Sequence, residues 1–107
     1  MFALTGKLFD WSTKEVGNRI IVTVVLTKKH KDKDSFYAFS TFSERIKELL
    51  EQRLVGSGDS VEIKFFVKSR EYNGRWYTDM YADEMMLLKK GKSASMNMFE
   101  GKAKSFR

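Results

Sequence analysis

No cysteine occurs among the 107 residues, which removes disulfides, thiolate metal sites and a cysteine nucleophile in one step. Histidine occurs once, as His30 in the run Lys28-Lys-His-Lys-Asp-Lys-Asp34. No apolar residue there builds a cleft, and no neighbour completes a metal or general-base site. Long apolar runs are missing too: Ile20 to Leu26 is the longest uncharged one and is far too short to cross a bilayer. The start, Met1-Phe-Ala-Leu-Thr-Gly-Lys7, has no basic region followed by an apolar core, so a cytosolic protein is expected. There is no glycine-rich phosphate cradle and no metal-ligand spacing, and no nucleophile stands beside a base with a third group to orient it. Asp83 and Glu84 are neighbours on a strand and point to opposite faces, while Asp32 and Asp34 sit among lysines, so neither pair makes an acid–base couple. The expectation is a binding protein and not an enzyme, with no cofactor, no metal, no membrane and no small-molecule substrate.

At this length, an apolar content of 42% builds one small core and not two. The formal charge of +6 is unevenly spread. Residues 89–107 carry Lys89, Lys90, Lys92, Lys102, Lys104 and Arg107 against Glu100, a net +5, which leaves residues 1–88 at +1. The chain therefore divides into a domain over 1–88 and a basic tail over 89–107, in which Met98 and Phe99 are the residues that could dock. Such a tail suits an acidic partner such as nucleic acid, and it would equally serve as a solubilising extension.

Alternation of period two marks most of the domain as strand. Phe2 to Trp11 places Phe2, Leu4, Gly6 and Leu8 on one face and Thr5, Lys7, Phe9 and Trp11 on the other, and Gly6 signals a bend or a close backbone approach. Ser12 to Asn18 reads as a turn or short loop. Arg19 to Lys29 is rich in β-branched residues, with Ile20, Val22, Val24 and Leu26 toward the core. The charged run Lys28 to Asp34 reads as a solvated loop. Ser35 to Phe42 follows, with Tyr37, Phe39 and Thr41 inward and Phe36, Ala38, Ser40 and Phe42 outward. Ser43 can cap a helix over Glu44 to Leu54, since its hydroxyl can accept from first-turn N–H groups and Glu44 lies near the positive end of the dipole. Ile46, Leu49, Leu50 and Leu54 form the buried stripe of that helix, and the glycines of Val55-Gly-Ser-Gly-Asp59 end it.

The last element is a hairpin, Glu62 to Tyr72 pairing with Arg75 to Met85 across Asn73-Gly74, which supplies the positive φ angles of a type I′ turn. Val61, Ile63, Phe65 and Val67 face inward. Three strands, a helix and two strands match the five-stranded Greek-key barrel of the OB fold, an all-β architecture with one short helix. On the open face of the hairpin Lys64, Phe66, Lys68, Arg70 and Tyr72 share one parity, with Arg75, Trp76 and Tyr77 just past the turn. Basic groups neutralise phosphates while flat rings stack on unpaired bases, and this combination holds single-stranded nucleic acid without reading its sequence. The same rings would also suit a second small core or a dimer interface.

Leu4-Thr-Gly-Lys-Leu8, Phe39-Ser-Thr-Phe-Ser-Glu-Arg-Ile46, Gly58-Asp-Ser-Val-Glu-Ile63 and above all Ser69-Arg-Glu-Tyr-Asn-Gly-Arg-Trp-Tyr-Thr-Asp79 carry a resemblance across nearly all of residues 2–88. The sequence resembles bacterial and phage single-stranded-DNA-binding proteins, and more closely a family of short bacterial OB-fold proteins. The resemblance implies stacking sites at Phe36, Phe42 and Tyr72, basic sites at Lys68 and Arg70, and a role in replication, recombination or repair in the cytoplasm of a bacterium or its phage. Bacterial members usually end in an acidic tail whose apolar tip recruits other proteins; Met96-Asn-Met-Phe-Glu-Gly-Lys-Ala-Lys-Ser-Phe-Arg107 is basic, so recruitment is not carried over.

The reading reached is sequence-independent binding of single-stranded DNA. Trp11, Phe36, Phe42, Tyr72, Trp76 and Tyr77 are the expected base-stacking residues, and Lys7, Arg19, Lys64, Lys68, Arg70 and Arg75 the expected phosphate contacts. Tyr37 and Phe39 belong to the core. The half-apolar outer face of the second strand suits a homodimer or homotetramer. Two alternatives stand beside this reading: an OB module whose aromatic face is a protein interface, favoured by the near-neutral +1 of the domain, and single-stranded RNA, told apart by contacts to the 2′-hydroxyl.

Overall fold

The computed structural model describes residues 1–91, so Met98 and Phe99 lie outside the described residues. The elements are β1 (Phe2–Val16), β2 (Arg19–His30), β3 (Lys33–Thr41), α1 (Glu44–Glu51), β4 (Ser60–Tyr72) and β5 (Arg75–Lys89). The strands close into a barrel in the order β1-β2-β3-β5-β4. Every pairing is antiparallel except that of β3 with β5, which meet in parallel at Ser40 and Tyr81. This is the expected five-stranded barrel, with its helix between β3 and β4.

Two segments expected as loops are paired strand. Ser12 to Val16 continue β1 against Arg19 to Thr23, which confines the turn to Gly17-Asn18. Lys28 to His30 pair with Lys33 to Ser35, leaving only Lys31 and Asp32 to turn the chain, with Lys31 at φ 58°. Ladder hydrogen bonds use backbone groups alone, so a polar strand standing beyond the barrel shows no alternation to read. β5 runs past Met85 to Lys89, its added residues pairing with Ser60, Val61 and Glu62 of β4.

Leu8, Val22, Val24, Leu26, Phe39, Val61 and Ile63 fill the interior, with Ile46 and Leu50 of α1 and Val55 beyond it packed against them. Burying each such side chain fully is worth about 1.5–3 kcal/mol, so the inward parity is held wherever the strands enclose the core. Gly6 makes the expected close approach: a Cβ there would lie 3.0 Å from the Thr27 carbonyl oxygen.

Three β-bulges interrupt the ladders, with Phe9, Asp83 and Leu88 as the extra residues, and the first two reset which face a residue takes beside the aromatic surface. Phe9 is an extra residue in β1, because Leu8 pairs with Leu26 and Asp10 already with Val25. Trp11, expected to point outward with Lys7 and Phe9, is therefore opposite Val24 and half-buried against the core. Asp83 is the extra residue in β5, between Ala82 opposite Phe65 and Glu84 opposite Lys64. From Val67 to Thr78 every residue is exposed, so the hairpin stands clear of the barrel with two solvent faces. Val67, expected in the core, is 44% exposed for that reason, and Ile20, near the tip of the β1–β2 arm, is 39% exposed. Asn73 (φ 51°) and Gly74 (φ 78°) form the expected left-handed turn.

Ser43 caps α1, its hydroxyl accepting from the Ile46 N–H at 3.2 Å. The helix ends three residues before the expected Leu54. Arg53 adopts φ 60°, its N–H donates to the Leu50 carbonyl at 3.1 Å and that of Leu54 to the Leu49 carbonyl at 3.0 Å. This is a Schellman ending with a non-glycine residue in the left-handed position, and it turns Leu54 out of the apolar stripe into solvent.

The chain after β5 is fastened by Asp59, which is fully buried. One carboxylate oxygen accepts from the Gly91 N–H at 2.7 Å; the other accepts from Lys90 Nζ at 2.8 Å and the Gly56 N–H at 2.9 Å. A Cβ at Gly91 would lie 2.5 Å from the Gly58 carbonyl oxygen, so only glycine fits without moving backbone. Burial pushes the Asp59 carboxyl up, but the bonds from Gly91, Lys90 and Gly56 and the Lys90 charge outweigh it and hold it below the ordinary 3.8. Because the folded value is the lower one, this stabilisation is full above the unfolded pKa and is lost as pH falls through the folded pKa. Asp59→Asn should cost about 2–3 kcal/mol in urea unfolding at pH 7. Its deficit against the unmodified protein should shrink below pH 3.8; a constant deficit would show that the charge is not what stabilises.

Candidate nucleic-acid interface

The outward side of β3 presents Phe36, Ala38, Ser40 and Phe42 in one row. The two rings are exposed, Phe42 one residue past the end of β3, and six steps of extended chain set them about 20 Å apart, with only the small side chains of Ala38 and Ser40 between them in the row. Phe36 meets Phe9 edge to face, ring centres 4.9 Å apart. The bulge at Phe9 is what offers that ring to its neighbour. The Arg19 guanidinium lies 3.8 Å from the centre of the Phe42 ring. At an exposed site such a cation–π contact is worth about 0.5–1 kcal/mol, enough to bias the arginine toward the ring without locking it there.

Cross-strand partners share a face, so the register of the hairpin sorts its side chains. One face carries Phe66 with Tyr81, Lys68 with Asp79, Arg70 with Tyr77 and Tyr72 with Arg75. Phe66 and Tyr81 stack at 5.7 Å with 23° between their planes. Lys68 Nζ lies 5.4 Å from the Phe66 ring centre and the Arg70 guanidinium 5.2 Å from that of Tyr77. Arg70 also stands 3.8 Å from the Asp79 carboxylate, both side chains well exposed. A surface pair of that kind contributes about 0–1 kcal/mol, so it aims Arg70 and does not withhold it. Because Ser40 pairs with Tyr81, this face is continuous with the β3 row, and Phe42, Phe66 and Tyr81 line one depression of about 210 Å³ between the two.

Of the residues expected to bind, Phe36, Phe42, Tyr72, Tyr77, Arg19, Lys68, Arg70 and Arg75 share this surface. Lys7 lies in a row with Thr27 and Phe36 on the outer side of the barrel. Three residues sit elsewhere. Trp11 is turned inward by the Phe9 bulge. Trp76 pairs with Glu71 on the reverse face of the hairpin, with Val67 and Met80. Lys64 stands between Ala3 and Glu84, on the wall shared with β1. Phe9, Phe66 and Tyr81 complete the surface although they were not among the expected binders. The alternation of Phe66 with Lys64 and Lys68 points to it, Tyr81 follows Tyr77 and Asp79 at the same parity, and Phe9 was already outward by parity, with only its contact to Phe36 unread. Among the described residues no group of three or more His, Asp or Glu side chains could hold a metal ion.

No family model matches the sequence and no curated protein matches it. Solved structures do. The mitochondrial single-stranded DNA binding protein Rim1 from S. cerevisiae superposes with a TM-score of 0.69 at 17% identity, over 85% of this chain and 95% of its own. A second Rim1 structure gives 0.68 at 19%, with the same coverage. Plasmodium falciparum SSB, in complex with ssDNA, gives 0.56 at 13%, over 82% of this chain and 93% of its own. The chain shares the OB fold of single-stranded-DNA-binding proteins.

In this OB barrel the two tryptophans do different work. Trp11 packs against the core, and Trp76 is 71% exposed on the reverse of the hairpin. Trp11→Ala should lower stability by about 2–4 kcal/mol, and Trp76→Ala should change it by less than about 0.5 kcal/mol, both read from urea unfolding. Equal effects would contradict the bulged register of β1.

Proposed function

We propose that the protein binds single-stranded DNA without regard to sequence, by stacking bases on rings and pairing phosphates with adjacent cations. The carrying observation is that ring and cation come together along one continuous face: Arg19 with Phe42, Lys68 with Phe66, Arg70 with Tyr77 and Arg75 beside Tyr72. Each stacked base is worth about 1–3 kcal/mol, and a cation beside each ring stands where the flanking phosphate would pass. Rings of this kind do not read base edges, so the preference is for unpaired strands and not for a sequence. The surface gathers rings and cations and places no nucleophile beside a base, which favours binding over catalysis. The choice of DNA is supported by the names of the structural neighbours, one of them solved with ssDNA. Replication, recombination and repair are the processes that expose such strands.

The reverse face of the hairpin supports a homodimer or homotetramer. Val67, Met80 and Trp76 line it, and Val67 and Trp76 are open to solvent, so a second copy would cover apolar area there that this chain leaves wet.

Anisotropy titration of labelled oligo-dT at several salt concentrations tests the reading. Four engaged cations predict a log–log slope of about −3, from about −0.7 per phosphate contact. Phe42→Ala should weaken binding about 5- to 150-fold, the equivalent of one lost stack, with the fold kept. Phe39→Ala should instead lose about 3–5 kcal/mol of stability. Failure of the unmodified protein to bind at low salt would sink the proposal and leave the aromatic face as a protein interface. Light scattering on the same samples should show a multiple of the chain mass that falls to the monomer in Val67→Lys; a monomeric unmodified protein would reject the assembly.

A further inference from the structure

Asp59 decides where the chain after Gly91 leaves the barrel. β5 ends at Lys89, and the next two residues are held by that one buried carboxylate, the Gly91 N–H at 2.7 Å and Lys90 Nζ at 2.8 Å. Gly91 stands against the backbone of Gly58, whose own N–H donates to the Leu8 carbonyl at 2.8 Å. Next to it the Ser57 hydroxyl donates to the Phe9 carbonyl at 3.4 Å. Phe9 is the ring that meets Phe36 edge to face. This relay of contacts sets the exit of the chain beside the Phe9–Phe36 pair, at one end of the aromatic row, with Phe42 at the other.

That end of the row is also where cations are fewest. Arg19, Lys68 and Arg70 stand over the rings of Phe42, Phe66 and Tyr77, whereas among the described residues no cation stands over Phe9 or Phe36. Residues 92–107, outside the described residues, carry Lys92, Lys102, Lys104 and Arg107 against Glu100, a net +3. Charge so nearly of one sign suits a polyanion. A chain spans at most about 3.3–3.6 Å per residue, so the eleven residues from Gly91 to Lys102 allow up to about 36–40 Å, against about 20 Å for the whole row. We propose that residues 92–107 are a second DNA-contacting segment, delivered at the Phe36 end of the face, whose Lys102, Lys104 and Arg107 pair with phosphates of the strand stacked on Phe9 and Phe36. The proposal rests on the binding of single-stranded DNA and adds to it the cations that this end of the face lacks. Carried on the same chain, they need no encounter of their own once a base is stacked. The affinity they add is electrostatic and is lost with salt.

Oligo-dT titrations of the full chain over a range of salt test the proposal. The four cations of the face account for a log–log slope of about −3, and three more contacts take the unmodified protein to about −5, at about 0.7 per phosphate contact. Lys102→Gln/Lys104→Gln/Arg107→Gln should return the slope to about −3, while Arg45→Gln/Lys47→Gln/Arg53→Gln, which removes the same charge around the helix, should leave it at about −5. Equal flattening in both would reduce the segment to general attraction and overturn the proposal. A slope of about −3 in the unmodified protein, unchanged in the first variant, would overturn it while leaving the proposed function intact. Placement has its own readout. In Ser93→Cys the only thiol of the chain carries a dye within about 7 Å of Gly91. A quencher on one end of a short oligo-dT should quench that dye more strongly than a quencher on the other end, and equal quenching from both ends would overturn the placement. An unmodified protein that binds no single strand would take both readings down together.

Discussion

Barrel closure rests on the Thr41 hydroxyl. β3 and β5 share a single parallel backbone pair, Ser40 with Tyr81, and a seam that short is weak without help. Thr41, fully buried, donates from Oγ1 to the Ala82 carbonyl at 2.9 Å and accepts on the same oxygen from the Ser43 N–H at 3.0 Å. One bond ties the end of β3 to β5 beside the Asp83 bulge. The other starts the turn into the Ser43 cap. Leaving those groups buried and unpaired would cost about 1–3 kcal/mol each, so the seam holds as a unit. Its consequence lies outside the barrel: with Thr41 pinned inward, Phe42 must face outward, next to Arg19 and in line with the Phe66–Tyr81 stack.

The bulges at Phe9 and Asp83 complete that geometry by letting single strands serve both core and surface. Without the extra Phe9, strict alternation would put Trp11 in solvent. With it, β1 fills the interior at Leu8 and packs Trp11 against the core, while Phe9 is turned out against Phe36. A bulge re-aims side chains at the cost of one ladder position. The Asp83 bulge falls where β4 and β5 leave the barrel. Beyond it the ribbon has no core to face, and its two sides divide: rings and cations on one, Val67, Met80 and Trp76 on the other.

What the sequence shows depends on whether burial enforces a pattern. Val22, Val24, Leu26, Phe39, Val61 and Ile63 are legible because each must be inside, and their outward neighbours Phe36 and Phe42 follow by parity. The Asn73-Gly74 turn is legible because its φ angles restrict the residues allowed. The polar arms Ser12 to Val16 and Lys28 to Lys33 are not, since backbone pairing alone makes them strands. Nor was the inward Trp11, because a bulge has no signature in residue type when the extra residue is another aromatic. Trp76 was grouped with Tyr72 and Tyr77 by proximity in sequence, and only the cross-strand register separates the faces.

By net charge, a domain at +1 over residues 1–88 is a poor match for a polyanion, yet net charge is the wrong measure at contact range. At physiological salt a charge is screened over about 8 Å. A phosphate lying beside Phe42 or Tyr77 therefore senses Arg19 or Arg70 at close range and little of Glu48 and Glu51 on the solvent side of the helix. The one acid on the ring-and-cation face of the hairpin, Asp79, stands beside Arg70. Rings that hold cations in advance reduce the side-chain freedom lost when a strand arrives. The surface so built concentrates its positive charge beside its rings and keeps the rest of the barrel close to neutral, so in the proposed binding stacking would set where a strand sits and the cations would set how salt releases it.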